Sequence, residues 1–101
     1  MNPKQISKLI ESGEIVIIDV REKDEWNAGH IQGALHIPLG ELEREVDVVK
    51  TIPKNLPIYT YCQSGGRAGW AENKLHELGF SNARNMGGVV EWQKNGGELV
   101  K

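Results

Sequence analysis

The segment LPIYTYCQSGGRAGWAENKLHELG, residues 56–79, joins two patterns that together decide the fold. Its opening half, LPIYTYC, is rich in apolar, aromatic and β-branched side chains, which is typical of a strand that ends at Cys62. After the turn QSGG, small and apolar side chains recur at helical spacing, so that one helix face carries Ala68, Ala71, Leu75 and Leu78. Gly79 is suited to end that helix. The segment therefore predicts a strand, a glycine-rich turn and a helix, with Cys62 at the junction.

Strand and helix patterns alternate along the rest of the chain. The β-branched run at residues 15–18 predicts a strand buried on both faces, and GALHIP (33–38) and SNARNMGG (81–88) predict two more strands. Helices are predicted over residues 2–13, 22–29, 89–96 and 40–52, the last with inward side chains at Leu42, Val46 and Val49. This order predicts an α/β domain with a mostly parallel sheet and right-handed crossovers.

Length and composition favour one globular domain over residues 1–101, alone or within a longer protein. The chain is 39% hydrophobic and 26% charged, and its formal net charge of −2 is unlike the basic surface of a nucleic-acid binder. A single cysteine cannot form an internal disulfide, and the opening residues lack the apolar segment of a signal peptide. We therefore expect a cytoplasmic monomer with no nucleic-acid or membrane partner.

The turn after Cys62 has the features of an anion-binding loop. Ligands of open α/β sheets sit beyond the carboxyl ends of the strands, which is where Cys62 is predicted to lie. Gly65 and Gly66 allow positive φ, so backbone N–H groups can point inward, while the helix start and Arg67 add positive potential. Such surroundings lower the pKa of a thiol and favour the nucleophilic thiolate. Cys62 is therefore predicted to be reactive; the alternative is a buried structural cysteine.

Three segments resemble a known family in the same order. They are the loop CQSGGR (62–67), the stretch VIIDVREKDEWNAGHIQGALHIPLGEL (16–42) with its D-V-R and G-H-I-x-G-A-x-x-I-P elements, and NMGGVVEW (85–92) with G-G-x-x-x-W. Together they resemble the rhodanese family, the thiosulfate sulfurtransferases, in its single-domain form. The resemblance implies a rhodanese-like α/β fold with a five-stranded, mostly parallel sheet flanked by helices on both faces. It implies no metal and no organic cofactor.

The resemblance also implies a double displacement. The thiolate would take the outer sulfur of thiosulfate or a similar small donor, and the resulting persulfide would pass it to cyanide or a thiol. Cys62 would be the catalytic nucleophile, and the substrate would be held by Gln63, Ser64, Gly65, Gly66 and Arg67. Two alternatives stay open: a non-catalytic rhodanese-like module used for binding or regulation, and a cysteine-based phosphatase. The C-x4-R spacing here is shorter than the C-x5-R loop of those phosphatases, which favours sulfur over phosphate.

Several other polar and aromatic side chains are candidates for a functional role. Asp19 and Arg21 follow the first strand and are interpreted as an ion pair that ties a loop to the sheet; the alternative is that they shape the field of the site. Trp70, one turn into the helix after Cys62, is interpreted as lining the pocket. No metal-site spacing links the three histidines, which are interpreted as structural or surface residues: His30, His36 and His76.

Overall fold

The computed structural model describes residues 2–44 and 47–101. Its elements follow in chain order: α1 (Pro3–Glu11), β1 (Val16–Asp19), α2 (Lys23–Ala28), β2 (Leu35–His36), α3 (Leu39–Glu43), a 3-10 helix (Asp47–Thr51), β3 (Ile58–Cys62), α4 (Gly66–Glu77), β4 (Ala83–Gly88) and α5 (Val89–Lys94). Helices and strands alternate as predicted, and the α/β class is confirmed. In the described part of the chain, no helix is long and apolar enough to cross a membrane.

The strands form a parallel sheet in the order β2-β1-β3-β4. β1 and β3 occupy the two central positions, so the carboxyl ends of both lie in the middle of one sheet edge. This places Cys62, the last residue of β3, at the edge where ligands of open α/β sheets bind.

Two apolar cores lie on opposite faces of the sheet, which explains the unbroken β-branched run of β1. Ile18 belongs to the core that α3 and α4 cover, together with Leu42, Ala71 and Leu75. Ile17 faces the other core, where its neighbours from the flanking helices include Ile6, Val89 and Trp92. Successive strand side chains point to opposite faces, so a strand covered on both sides needs apolar residues at every position.

The expected five-stranded sheet is wrong: within residues 2–44 and 47–101 the sheet has four strands. The four segments with strand patterns all become strands, and the fifth was implied only by the family resemblance. Outside these strands, Val100 forms an isolated antiparallel β-bridge with His30. Two backbone hydrogen bonds of 2.8 Å hold this bridge, and it does not extend into a ladder.

The single helix predicted over residues 40–52 is also wrong, because α3 ends at Glu43 and a separate 3-10 helix begins at Asp47. The second half of that segment is rich in β-branched residues, which are poor helix formers, so continuation of α3 is not favoured. Two of the predicted inward side chains, Leu42 and Val49, are nevertheless buried. Val46, the third predicted inward residue, lies outside the described residues.

Candidate active site

Cys62 ends β3 inside the core rather than on an open surface. The residue is only 1% exposed and contacts the core covered by α3 and α4. Its backbone pairs with Gly88 at the end of β4. β3 is held to the following helix by Thr60, whose hydroxyl donates to the carbonyl oxygen of Ala68 at 2.8 Å. Strand, loop and helix therefore meet at the sulfur.

The loop between Cys62 and α4 curls back over the sulfur. Gly65 has φ +111°, a left-handed conformation that favours glycine, and its N–H donates to Cys62 Sγ at 3.0 Å. The carbonyl of Gly65 then accepts from the N–H of Gly69, which starts the hydrogen-bond pattern of α4. Gly66 is already helical, so only one of the two loop glycines uses positive φ.

Burial and backbone amides act on the pKa of the Cys62 thiol in opposite directions. Burial is the largest single influence and raises the pKa of Cys62, because it disfavours the charged form. Hydrogen bonds from the N–H groups of Ala68, Gly65, Ser64 and Arg67 act in the opposite sense, and together they outweigh burial. The net effect lowers the pKa of Cys62 below that of a free thiol, which favours the nucleophilic thiolate.

β4 also supports the loop. A one-residue irregularity between Thr60 and Tyr61 shifts the β3–β4 register and sets Gly88 against Cys62. A Cβ atom at Gly88 would overlap the carbonyl oxygen of Gln63, so this position has room only for glycine. The same carbonyl accepts from Val90 N at 3.3 Å. Asn85 adds a side-chain contact, since its Nδ2 donates to the carbonyl of Gly65 at 2.9 Å.

Arg67 lies at the loop as predicted, but its charge is paired. Its two terminal nitrogens donate to the two carboxylate oxygens of Glu25, at 2.6 and 2.9 Å. The hydrogen bond from Arg67 is the main cause that lowers the pKa of Glu25 to about 2, and the same pairing raises the pKa of Arg67. The loop cation is therefore partly neutralised before any ligand arrives.

Asp19 and Arg21 form the predicted ion pair. Asp19 is 0% and Arg21 4% exposed, and the guanidinium meets the carboxylate through contacts of 2.8 to 3.1 Å. Arg21 also donates to the carbonyl of Gly29 at 2.7 Å, which ties the end of α2 to the sheet. The geometry favours the interpretation that this ion pair is structural and ties a loop to the sheet.

The histidines have structural contacts as well. One ring nitrogen of each lies within 2.8 to 2.9 Å of a backbone carbonyl oxygen, at Trp26, Arg21 and Ala83 for His30, His36 and His76 respectively. Trp26 stacks on the first two of these rings, at centroid distances of 3.5 and 4.8 Å. No group of three or more potential metal ligands occurs among the residues that the structure describes.

Trp70, interpreted from the sequence as lining the pocket, is an exposed residue of α4. Its side chain is 70% exposed, and it lines a shallow groove between α3 and α4 with Glu43, Asn73 and Glu77. The residue is one turn past Arg67, on an exposed face of α4. The buried face of α4 carries Ala68, Ala71 and Leu75, and a role of Trp70 at the pocket beside Cys62 stays a prediction.

The family model for the rhodanese-like domain matches residues 2–95 of this chain. The chain belongs to the rhodanese family. The rhodanese segments named from the sequence all converge on this site: the cysteine loop forms it, the G-G-x-x-x-W segment supports it, and the first-half segment supplies Glu25. The family resemblance drawn from the sequence is thereby confirmed.

Individual relatives differ in length from this rhodanese domain. Over 77 residues it is 39% identical to the protein YqhL of Bacillus subtilis, covering 75% of this chain and 59% of YqhL. Over 75 residues it is 36% identical to the thiosulfate sulfurtransferase PspE of Escherichia coli, covering 73% of this chain and 70% of PspE. The chain thus spans less than two thirds of the length of the first of these relatives.

A solved structure of similar size supports the fold directly. The human single-domain sulfurtransferase superimposes with a TM-score of 0.73 at 30% identity, covering 93% of this chain and 94% of the human one. An α/β rhodanese fold and membership of a sulfurtransferase family are therefore shown.

Sequence reasoning missed three supports of the site: Glu25, Asn85 and Gly88. The quoted G-G-x-x-x-W segment contained a usable signal for Gly88, because a glycine next to another in a strand indicates close backbone approach. Asn85, two residues before that glycine pair, was a weaker indication that β4 approaches the loop closely. Glu25 gave none, since its partner Arg67 is 42 positions away.

Proposed function

We propose that this protein is a sulfurtransferase that takes a sulfane sulfur from thiosulfate or a similar donor and carries it as a persulfide on Cys62. The observation that supports this most is the backbone N–H of Gly65, which donates to Cys62 Sγ at 3.0 Å, while the N–H groups of Ser64, Arg67 and Ala68 also lower the pKa of the thiol. Such donors stabilise a thiolate before attack and an anionic persulfide after it. Gln63, Ser64, Gly65, Gly66 and Arg67 form the substrate-binding loop in this proposal.

Each half-reaction balances without a cofactor. The Cys62 thiolate attacks the outer sulfur of thiosulfate, the S–S bond of the donor breaks, and sulfite leaves with its bonding electron pair. The enzyme is left as Cys62–S–S⁻. Cyanide or a thiolate then attacks the outer sulfur of this persulfide, which forms thiocyanate or a new persulfide and releases the Cys62 thiolate. The donor and the acceptor in this scheme are small molecules, and the cytoplasmic, monomeric state remains a prediction.

Intact-mass analysis after incubation with thiosulfate tests the proposal. The protein is expected to gain the mass of one sulfur atom and to lose it on addition of cyanide. A Cys62→Ser variant is expected to fold normally and to take up no sulfur, because it lacks the nucleophile. Sulfur uptake by that variant, or none by the wild type, would refute the assignment.

The two alternatives predict different results in the same preparation. A non-catalytic module would show no sulfur uptake and no transfer to cyanide. A phosphatase would hydrolyse an aryl phosphate faster than it transfers sulfur. Only three residues separate Cys62 from α4, and Gly65 N already contacts the sulfur, so the loop is small for a phosphate with its tetrahedral shell of oxygens. We therefore expect clear sulfur transfer and little or no phosphate release.

A further inference from the structure

Glu25 occupies a position from which it controls the charge of the cysteine loop. It belongs to the first turn of α2, yet both its oxygens bind the guanidinium of Arg67 on α4. The side chains of Glu25 and Arg67 are 29% and 36% exposed, so the pair sits at the solvent-accessible rim of the site. A ligand that approaches Cys62 from solvent therefore meets a carboxylate and a cation that are already paired.

The carboxylate is held independently of Arg67. Glu25 Oε1 also accepts a hydrogen bond of 3.1 Å from the backbone N–H of Glu22, as part of the capping box of α2. Glu25 would therefore stay at the rim if Arg67 turned towards a bound anion. The negative charge of Glu25 would then act on that anion without compensation.

Arg21 is not available to replace Arg67. Arg21 lies close enough to influence Glu25 electrostatically, but it is buried and committed to Asp19 and the carbonyl of Gly29. The backbone amides around the sulfur are fixed and serve any anionic sulfur equally. Glu22 also acts on Arg67 electrostatically, but Glu25 is the carboxylate bound to it, so discrimination between donors of different charge depends chiefly on the Glu25–Arg67 pair.

We propose that Glu25 is a specificity-determining residue that disfavours doubly charged sulfur donors and so favours alkyl persulfides over thiosulfate. This inference rests on the proposed role of Cys62 as the nucleophile. Thiosulfate brings two negative charges next to the thiolate and the carboxylate, whereas a persulfide, R–S–SH, brings none or one. In the favoured reaction the Cys62 thiolate attacks the outer sulfur, the donor S–S bond breaks, Cys62–S–SH forms and R–S⁻ leaves.

A pair of alkylating reagents tests the charge effect without any sulfur transfer. Iodoacetate and iodoacetamide both modify the thiolate and differ in charge, and Cys62 is the only cysteine in the chain. The ratio of their rates cancels any change in the thiolate fraction. Glu25→Gln is expected to raise the iodoacetate-to-iodoacetamide ratio about fivefold, since one partly exposed charge at this range is worth on the order of 1 kcal/mol. An unchanged ratio would overturn the inference.

Two matched variants show whether the effect is local and whether it is due to charge. Glu11→Gln removes a carboxylate from α1, which packs on the face of the sheet opposite α4, and is expected to leave the ratio unchanged. Glu25→Asp keeps the charge and is expected to leave the ratio close to that of the wild type. If Glu11→Gln raised the ratio as much as Glu25→Gln, net charge rather than the rim pair would be responsible, and the inference would be wrong.

Steady-state kinetics with two donors complete the test. Glu25→Gln is expected to lower KM for thiosulfate about fivefold and to change KM for an alkyl persulfide less than twofold. A merely structural role of Glu25 would instead impair both donors together, which would overturn the inference. A shifted alkylation ratio with no sulfur transfer to Cys62 from either donor would refute the proposed function. Normal transfer with an unshifted ratio would refute the role of Glu25 alone.

Discussion

The thiol of Cys62 is subject to two opposing influences, burial and backbone hydrogen bonding. A side chain that is 1% exposed would ordinarily stay protonated, because a buried thiolate loses its hydration. The amides that reverse this preference belong to Ser64, Gly65, Arg67 and Ala68, and among side-chain substitutions only a change to proline removes one. Activation of the sulfur is therefore a property of the backbone path, and it should persist in variants of the loop side chains.

Arg67→Ala tests this separation of backbone and side chain. The pKa of Cys62 is expected to rise but to stay below the ordinary value of a free thiol, because the four amides remain. Sulfur transfer from thiosulfate is expected to fall about fivefold or more, since the variant leaves the charge of Glu25 uncompensated, an effect on the order of 1 kcal/mol. Arg67→Lys is expected to recover only part of the loss, because an ammonium group cannot replace the bidentate fork.

The measurement is the rate of iodoacetamide alkylation against pH, together with kcat/KM for thiosulfate. A midpoint for Arg67→Ala equal to that of a free thiol would show that the guanidinium, rather than the amides, activates Cys62.

At the level of single residues, the sequence predicted those site residues that lie close together along the chain. Cys62, Gly65 and Arg67 follow one another within one turn, so their proximity could be predicted from the chain order. Glu25 could not be found in the same way, because it is one of several acidic residues in EKDEW and only the fold brings it to Arg67. The exposure of Trp70 could not be predicted for a related reason: helical spacing gives the faces of a helix but not the depth to which each is covered.

Among the secondary-structure elements, β4 has the strictest requirement for its sequence. Gly88 pairs with Cys62 and lies against the backbone of Gln63, so the cysteine loop and the end of β4 share one small space. Its φ of −157° is ordinary extended backbone, and the requirement for glycine is steric.

Gly88→Ala is expected to displace the loop, lower sulfur uptake by Cys62 strongly, and reduce the free energy of unfolding by about 1–3 kcal/mol, as in other overpacked sites. Gly40→Ala in α3 is the control, because a Cβ there meets nothing closer than 3.9 Å. That variant should be as stable as the wild type or more stable by up to about 1 kcal/mol. Urea unfolding and intact-mass analysis measure both effects. Full sulfur uptake by Gly88→Ala would contradict the steric argument.

Element prediction from the sequence succeeded where one pattern filled a whole segment. The β-branched run of β1 and the small-apolar face of α4 each have one periodicity, and both elements were found. The segment over residues 40–52 mixes good helix formers with a β-branched second half, so spacing alone could not show where α3 ends. The fifth strand was taken from the family resemblance, and no segment of this sequence required it.

The whole molecule depends on polar contacts between its layers as well as on its two cores. The pair of Asp19 and Arg21 is buried at the end of a central strand and reaches across to Gly29 after α2. Leaving one member of such a pair alone is costly, because the other charge stays buried without a partner.

Arg21→Ala is therefore expected to lower the free energy of unfolding by about 3–5 kcal/mol. Lys50→Ala is the matched control, since it breaks an ion pair with Asp47 whose side chains are 76% and 98% exposed. That change should cost less than about 1 kcal/mol. Urea unfolding of the two variants gives the comparison, and equal losses would show that burial of the pair does not matter.

Trp70 gives the molecule a built-in optical reporter. Trp92 is buried, and Trp26 is stacked between two imidazole rings, whereas the indole of Trp70 is 70% exposed to water. Water-exposed indoles fluoresce at longer wavelengths than buried ones and are quenched readily by dissolved acrylamide. The red edge of the emission spectrum therefore comes mainly from one residue, a single helical turn beyond Arg67. A ligand or partner that covers the start of α4 will shift the emission of Trp70 to shorter wavelengths and protect the indole from quenching by acrylamide.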